Sequence, residues 1–167
     1  LENVTPAGDF IRVSYPDYRD YRDNLRLVSG IMGLFGTGLR VGGDEDGQEI
    51  RGELVTGNYF TLLGVEPLVG RFFLPEEGAD PPAFHPVAVI SERLWRQRFG
   101  SDPGVAGRTL LVNRRPLTII GVAPPGFHGS GTGLLHDLWA PLTLIHHLNR
   151  STPGMLASRS TRNQDVF

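Results

Sequence analysis

The chain has 167 residues, room for one domain or two small subdomains sharing a core, and its 40% hydrophobic content suits a packed interior and argues against global disorder. A formal net charge of −2 gives no general attraction to nucleic acid or to an anionic membrane surface. The absence of cysteine excludes disulfides, thiolate chemistry and Cys-ligated zinc, and all 16 basic residues are arginine, dispersed along the chain where a nucleic-acid stripe would cluster them.

The opening stretch, residues 1–9, has no clear period and leads into an expected short strand at 10–13. Ser14-Tyr15-Pro16-Asp17 then reads as a helix start: Ser14 can cap a free N–H, Asp17 sits in the capping-box position, and Pro16 fits the first turn. Tyr18, Tyr21, Leu25 and Val28 fall at helical spacing and are expected to face the core, with the helix ending before Gly30. From 31 to 55 the pattern is that of a hairpin. Leu39 and Val41 alternate with polar or small residues on one arm, Ile50 and Leu54 on the other, around the turn cluster Gly42-Gly43-Asp44-Glu45-Asp46-Gly47. Residues 57–64 read as a short helical turn closed by Gly64. Residues 75–86, acidic and then proline-rich, read as an exposed loop.

Val87 to Ile90 reads as a short apolar strand, and Ser91 as the cap of a helix that turns Leu94, Trp95 and Phe99 inward and stops at Gly100. Residues 109–112 and 116–122 flank Asn113-Arg114-Arg115 as a second hairpin. A tight two-residue turn favours Asn-Gly, so Arg114 implies a looser loop or modest strain. Residues 126–133 are glycine-rich and expected to be flexible, 137–142 form one more strand, 143–148 one helical turn, and the tail from 149 is polar. No apolar run approaches the length needed to cross a bilayer, and no signal-like start is visible, so the segment is expected to behave as a soluble piece. Short strands mixed with short helices predict an α+β fold.

Several segments, in order, resemble the periplasmic core domain of MacB/FtsX-like ABC-transporter permeases. They are Gly57-Asn58-Tyr59-Phe60, Leu63-Gly64 and Gly70-Arg71-Phe72-Phe73, then the strand and Ser-led helix over 87–100 with Trp95 and Phe99-Gly100. The strand pair from Gly107-Arg108-Thr109-Leu110 to Ile119-Ile120-Gly121-Val122 follows, and last Asp137-Leu138-Trp139-Ala140-Pro141-Leu142. The start, Ser14-Tyr15-Pro16-Asp17-Tyr18, is similar to permeases of unassigned substrate in the same superfamily. The resemblance spans about residues 14 to 142. It implies an extracytoplasmic domain between the first and second transmembrane helices of a parent permease, with a porter-like α/β part and a mainly β inserted subdomain carrying short helices. By that analogy residues 1–64 are the first half of the porter-like part and 65–167 mainly the insertion, the chain stopping before the porter-like unit is completed. An apolar face left exposed or paired with a second copy is then expected.

The motifs that carry the resemblance are structural, and the sequence assigns no catalytic, cofactor-binding or metal-ligating residue. His85, His128, His136, His146 and His147 show no metal-ligand spacing. His136-Asp137 resembles a base with its orienter, but neighbours in a strand point to opposite faces. Asp44-Glu45-Asp46-Gly47 lacks the ligand spacing of a calcium loop and reads as a solvated tip. Gly129-Ser130-Gly131-Thr132-Gly133 lacks the lysine of a phosphate loop, Ser91 and Ser130 lack a nucleophile-elbow setting, and Arg114-Arg115 reads as solvated. The expected function is therefore non-enzymatic: coupling of ATP-driven transmembrane motion to engagement of a partner or substrate in export, at the periplasmic face of the bacterial inner membrane. The expected partners are the parent's own transmembrane helices, a second permease copy and a periplasmic adaptor, with no nucleic acid and no cofactor. Loops 42–47 and 75–86 are the candidate contact points. Alternatives are lipid or lipoprotein handling, which needs a continuous apolar groove, regulation of a cell-wall hydrolase, or hydrolysis by His136 and Asp137.

Overall fold

A computed structural model describes residues 3–4, 10–11, 14–24, 30–78, 84–129 and 134–149. The first strands, β1 (Asn3–Val4) and β2 (Phe10–Ile11), pair with each other. Helix α1 (Tyr15–Asn24) begins as the sequence predicts: Ser14 Oγ accepts the Asp17 N–H at 3.3 Å and donates to the Asp17 carboxylate at 2.6 Å. Tyr15 and Tyr18 are buried and stacked at 5.8 Å. Tyr21, expected in the core, is 39% exposed, because the helix runs out past the core after its first turn and a half. Leu25 and Val28 lie outside the described residues.

The remaining strands form one sheet. They are β3 (Leu34–Val41), β4 (Gln48–Val55), β5 (Val69–Gly70), β6 (Val87–Ile90), β7 (Thr109–Val112), β8 (Arg115–Val122) and β9 (Leu138–Pro141). Their order is β5-β8-β6-β9-β4-β3-β7, and β7 also pairs β8, so six strands close into a ring with β5 attached to β8. The closure between β3 and β7 is brief, a single pair Val41↔Val112, extended by Gly42 N–H to Leu111 O at 2.9 Å and Asn113 N–H to Arg40 O at 2.8 Å. Pairing runs across residue 64, since β4 and β9 are parallel neighbours.

Alternation sets the two faces. Leu39, Val41, Ile50, Leu54, Leu117 and Ile119 point into the ring and are buried, each Leu or Ile contributing about 1.5–3 kcal/mol. In β8 the alternation is broken on purpose: a register shift opposite Ala88 and Val89 inserts Ile120, so that Ile119 and Val122 both face the ring while Ile120 faces out. Where β5 crosses β8, a side chain on Gly121 would strike Arg71 O, so the close backbone approach demands glycine.

The outer face is covered as well. Helix α2 (Tyr59–Leu63), ended by Gly64 at φ 64°, lays Tyr59 and Phe60 on Val89, Ile120 and Trp139, and Phe72 stacks on Phe60 at 3.8 Å. Helix α3 (Glu92–Phe99) carries the expected Ser91 cap, which accepts the Leu94 N–H at 3.0 Å, and ends at Gly100 in the left-handed region. The chain then reaches α4 (Ile145–Leu148) through a single turn at Leu142–Leu144.

Candidate functional site

Both loops singled out from the sequence are held by ion pairs. In the β3–β4 tip, Asp46 Oδ1 accepts the Gly43 N–H at 2.6 Å, and the carboxylate pairs with Arg98 at the end of α3. These contacts, the Gly43 N–H first, hold the Asp46 carboxyl below its ordinary value. Asp44 pairs with Arg114 at 2.7 Å, joining this tip to the β7–β8 tip. Asp44, Glu45, Asp46 and Arg114 are exposed, as expected of solvated tips; in addition, the short β3–β7 closure brings the two tips together, and opposite charges meet there. Glu45 is exposed and has no partner among the described residues.

Within 75–86, where residues 75–78 and 84–86 are described, Pro75, Glu76 and Phe84 are exposed as expected and Glu77 is not. Glu77, in the turn Pro75–Gly78, is 5% exposed and receives the Arg71 guanidinium on both oxygens at 2.8 Å, with the Leu74 N–H at 2.8 Å. Burial alone would raise its pKa. The Arg71 fork, the Leu74 N–H and the nearby His85 outweigh that and hold it below the ordinary value. The turn can seat this way because Gly57 and Gly78 meet backbone to backbone; a Cβ on Gly78 would lie 2.5 Å from Gly57. Further along, Phe84 is 63% exposed and meets His147 edge-on at 4.8 Å.

The Asn113-Arg114 turn has two residues, at φ 48° and 63°, so of the two expectations the strained tight turn holds and the looser loop does not. Asn113 makes it possible: its side chain accepts the Arg40 N–H at 2.8 Å and donates to Leu148 O at 2.7 Å.

His136 and Asp137 are both buried, and they turn apart. The His136 Nδ1–H donates to His128 O at 3.0 Å and lies 3.5 Å from Glu53 Oε1. Asp137 accepts the Ser91 hydroxyl at 2.7 Å and the Arg93 fork, which ties α3 to β9. The base-and-orienter pair considered from the sequence is not assembled, and Ser91 is occupied as a helix cap. The residue that sequence reasoning missed is Glu53. It stands at an outward position of β4, normally solvent-facing, yet is 1% exposed and takes hydrogen bonds from Tyr59 OH and Trp139 Nε1, each at 2.8 Å. The available signal was Trp139 itself, an indole in a fully buried strand that must find an acceptor. Among the described residues no group of three His, Asp or Glu side chains is placed to hold a metal ion.

Among the described residues, clefts on the surface include two of note. One, of about 540 Å³, lies between the start of β4 and residues 134–137, where exposed Leu134 and Leu135 stand beside Arg51 and Arg93. The other, of about 450 Å³, lies between α1 and the Gly57-Asn58 turn, lined by Tyr15, Tyr18, Arg22 and Asn58. Asn58 donates to Ile31 O at 2.8 Å, so the Gly-Asn-Tyr-Phe motif fastens this turn to the entry of β3.

The same fold occurs in the extracellular domain of the noncanonic ABC-type transporter YknZ from Gram-positive bacteria (16% identity, TM-score 0.65, 89% of this chain and 70% of that one). It occurs again in the periplasmic region of MacB from Actinobacillus actinomycetemcomitans (14% identity, TM-score 0.66, 87% of this chain and 62% of that one). The profile described as MacB-like periplasmic core domain matches residues 2–164. The class is thereby defined: an extracytoplasmic domain of an ABC-transporter permease, α+β in fold. The chain belongs to the MacB-like periplasmic core domain family. Among curated proteins it is 33% identical over 90 residues to the macrolide export ATP-binding/permease protein MacB of Neisseria gonorrhoeae, covering 53% of this chain and 13% of that protein. Its counterpart in Chlorobium phaeobacteroides is 29% identical over 127 residues, covering 74% of this chain and 18% of that protein. The chain thus spans less than a fifth of these relatives. Among the described residues no helix is long and apolar enough to cross a membrane.

Proposed function

We propose that this domain works on the periplasmic side of the bacterial inner membrane, coupling ATP-driven motion of its parent's transmembrane helices to engagement of a partner or cargo in export. ATP hydrolysis is assigned to a separate cytoplasmic domain, a second permease copy stands beside the first, and a periplasmic adaptor is the partner. Within the parent, residues 1–64 and 65–167 would be two portions of one domain joined by the β4–β9 pairing. The observation that carries the reading is the place of the β3–β4 tip: it grows directly from two strands of the closed ring, with Arg98 of α3 and Arg114 of the neighbouring tip paired to it, so a displacement of the ring moves the tip with it. The relatives' shared description as macrolide exporters supplies the cargo class to try first. Lipid handling draws less support, because both clefts carry charged groups along their walls.

Glu45, the tip's unpartnered charge, is where contact is expected. In the full-length parent, Glu45→Arg should lower efflux of a labelled macrolide several-fold while ATP hydrolysis and folding are unchanged. Unchanged efflux, in a parent shown to export the label, would remove the tip from the contact surface.

A further inference from the structure

Among the described residues, one edge of β3 is left largely unpaired by the ring. Strand β3 is paired with β4 along its length, but its other edge meets β7 only at Val41. In an antiparallel ladder, residues two apart turn their N–H and C=O groups to the same side. Arg40 turns both toward Asn113, so Gly36 and Gly38 turn theirs the same way, outward. Both glycines are exposed, no acceptor among the described residues meets their N–H groups, and the Gly38 carbonyl accepts only the Thr37 hydroxyl, at 3.3 Å. A side chain built on either would find nothing within 4 Å. None of the usual guards against edge pairing is present over 34–39: no proline, no charge and no bulge.

We propose that this edge pairs with the same edge of a second copy, antiparallel, about a two-fold axis through Thr37. The register supports a second copy over a foreign strand. An isologous contact must be complementary to itself, and the sequence Phe35-Gly36-Thr37-Gly38-Leu39 has the same character read in either direction. With the axis at Thr37, Gly36 faces the other copy's Gly38 and exchanges both backbone hydrogen bonds with it, and Gly38 does the same with Gly36. Thr37 meets its own counterpart at the intervening site, where strands approach most closely. Asn113 already holds Arg40, so a longer foreign ladder is stopped there, whereas the two-fold pairing needs only the two glycines. Glycine in strands commonly marks the close approach of another backbone. So short a ladder buries far less than the ~1,600 Å² of an independent complex, so it suits copies already held together by a shared assembly. This inference names the surface for the second-copy contact proposed above and rests on that reading.

The chain contains no cysteine, which makes the test clean. Association is measured by sedimentation up to about 1 mM, the effective concentration that short linkers impose. Thr37→Cys should yield a disulfide-linked dimer on mild oxidation, since opposed residues at that site stand ~4.5 Å apart at Cα, within disulfide reach. Thr61→Cys, more exposed than Thr37 and on α2, should not. Gly38→Pro removes the outward N–H without touching the β4 ladder; it should leave the circular dichroism spectrum unchanged and weaken association about tenfold or more. If the chain associates but Thr37→Cys links no better than Thr61→Cys and Gly38→Pro has no effect, the surface is wrong and the second-copy reading stands. A chain that stays monomeric at that concentration overturns both.

Discussion

Glu77 sits in an acidic, proline-rich stretch, and only the Arg71 fork and the Leu74 N–H make its burial tolerable. Because the carboxyl titrates lower in the folded chain than in the unfolded one, its stabilisation is fully present above the unfolded value, ordinarily 4.5, and is lost as pH falls through the folded value. Glu77→Gln should therefore cost about 1–2 kcal/mol at neutral pH, a figure kept low because Arg71 is 43% exposed. The deficit should shrink as the pH falls from neutral through 4.5 and on through the lower folded value. Urea unfolding of both proteins across that range checks it, and a pH-independent deficit would refute the ion-pair account. Glu53 poses the complementary case: its burial is produced by α2 and residues 127–129 closing over the sheet's outer face, a tertiary event that alternation along β4 does not encode.

At the scale of elements, local signals were decisive wherever one residue satisfies one backbone group. Ser14 and Ser91 mark their helix starts and Gly64 and Gly100 the stops, because each acts within a turn of itself. Both hairpins follow from alternation around turn formers. The ring closure and the meeting of the two tips depend on residues about 70 positions apart, and no local pattern records them. The Asn113-Arg114 turn offers a test at this scale. Arg114 holds φ 63°, which costs a side-chain-bearing residue roughly 1–2 kcal/mol, while its exposed pairing with Asp44 returns less than about 1. Arg114→Gly should raise the melting temperature by a few degrees. A lower melting temperature would mean that the bridge between the tips outweighs the strain.

For the whole molecule, the architecture is a closed six-stranded ring whose outer face is sealed by α2 and whose protruding tips are tied back to it. Its family membership sets it on the extracytoplasmic side of a permease. The resemblance legible in the sequence rests on glycine and aromatic positions that make the sheet crossings and the outer cluster, and the same fold recurs in solved structures at 14–16% identity. The cargo and partners are not written in those positions, since they serve packing. The most direct test of the coupling is to replace residues 14–149 in the full-length parent by a short flexible linker and to measure ATP hydrolysis and macrolide efflux together. Retained hydrolysis with efflux lost is the predicted result; efflux at the wild-type rate without the domain would contradict the account.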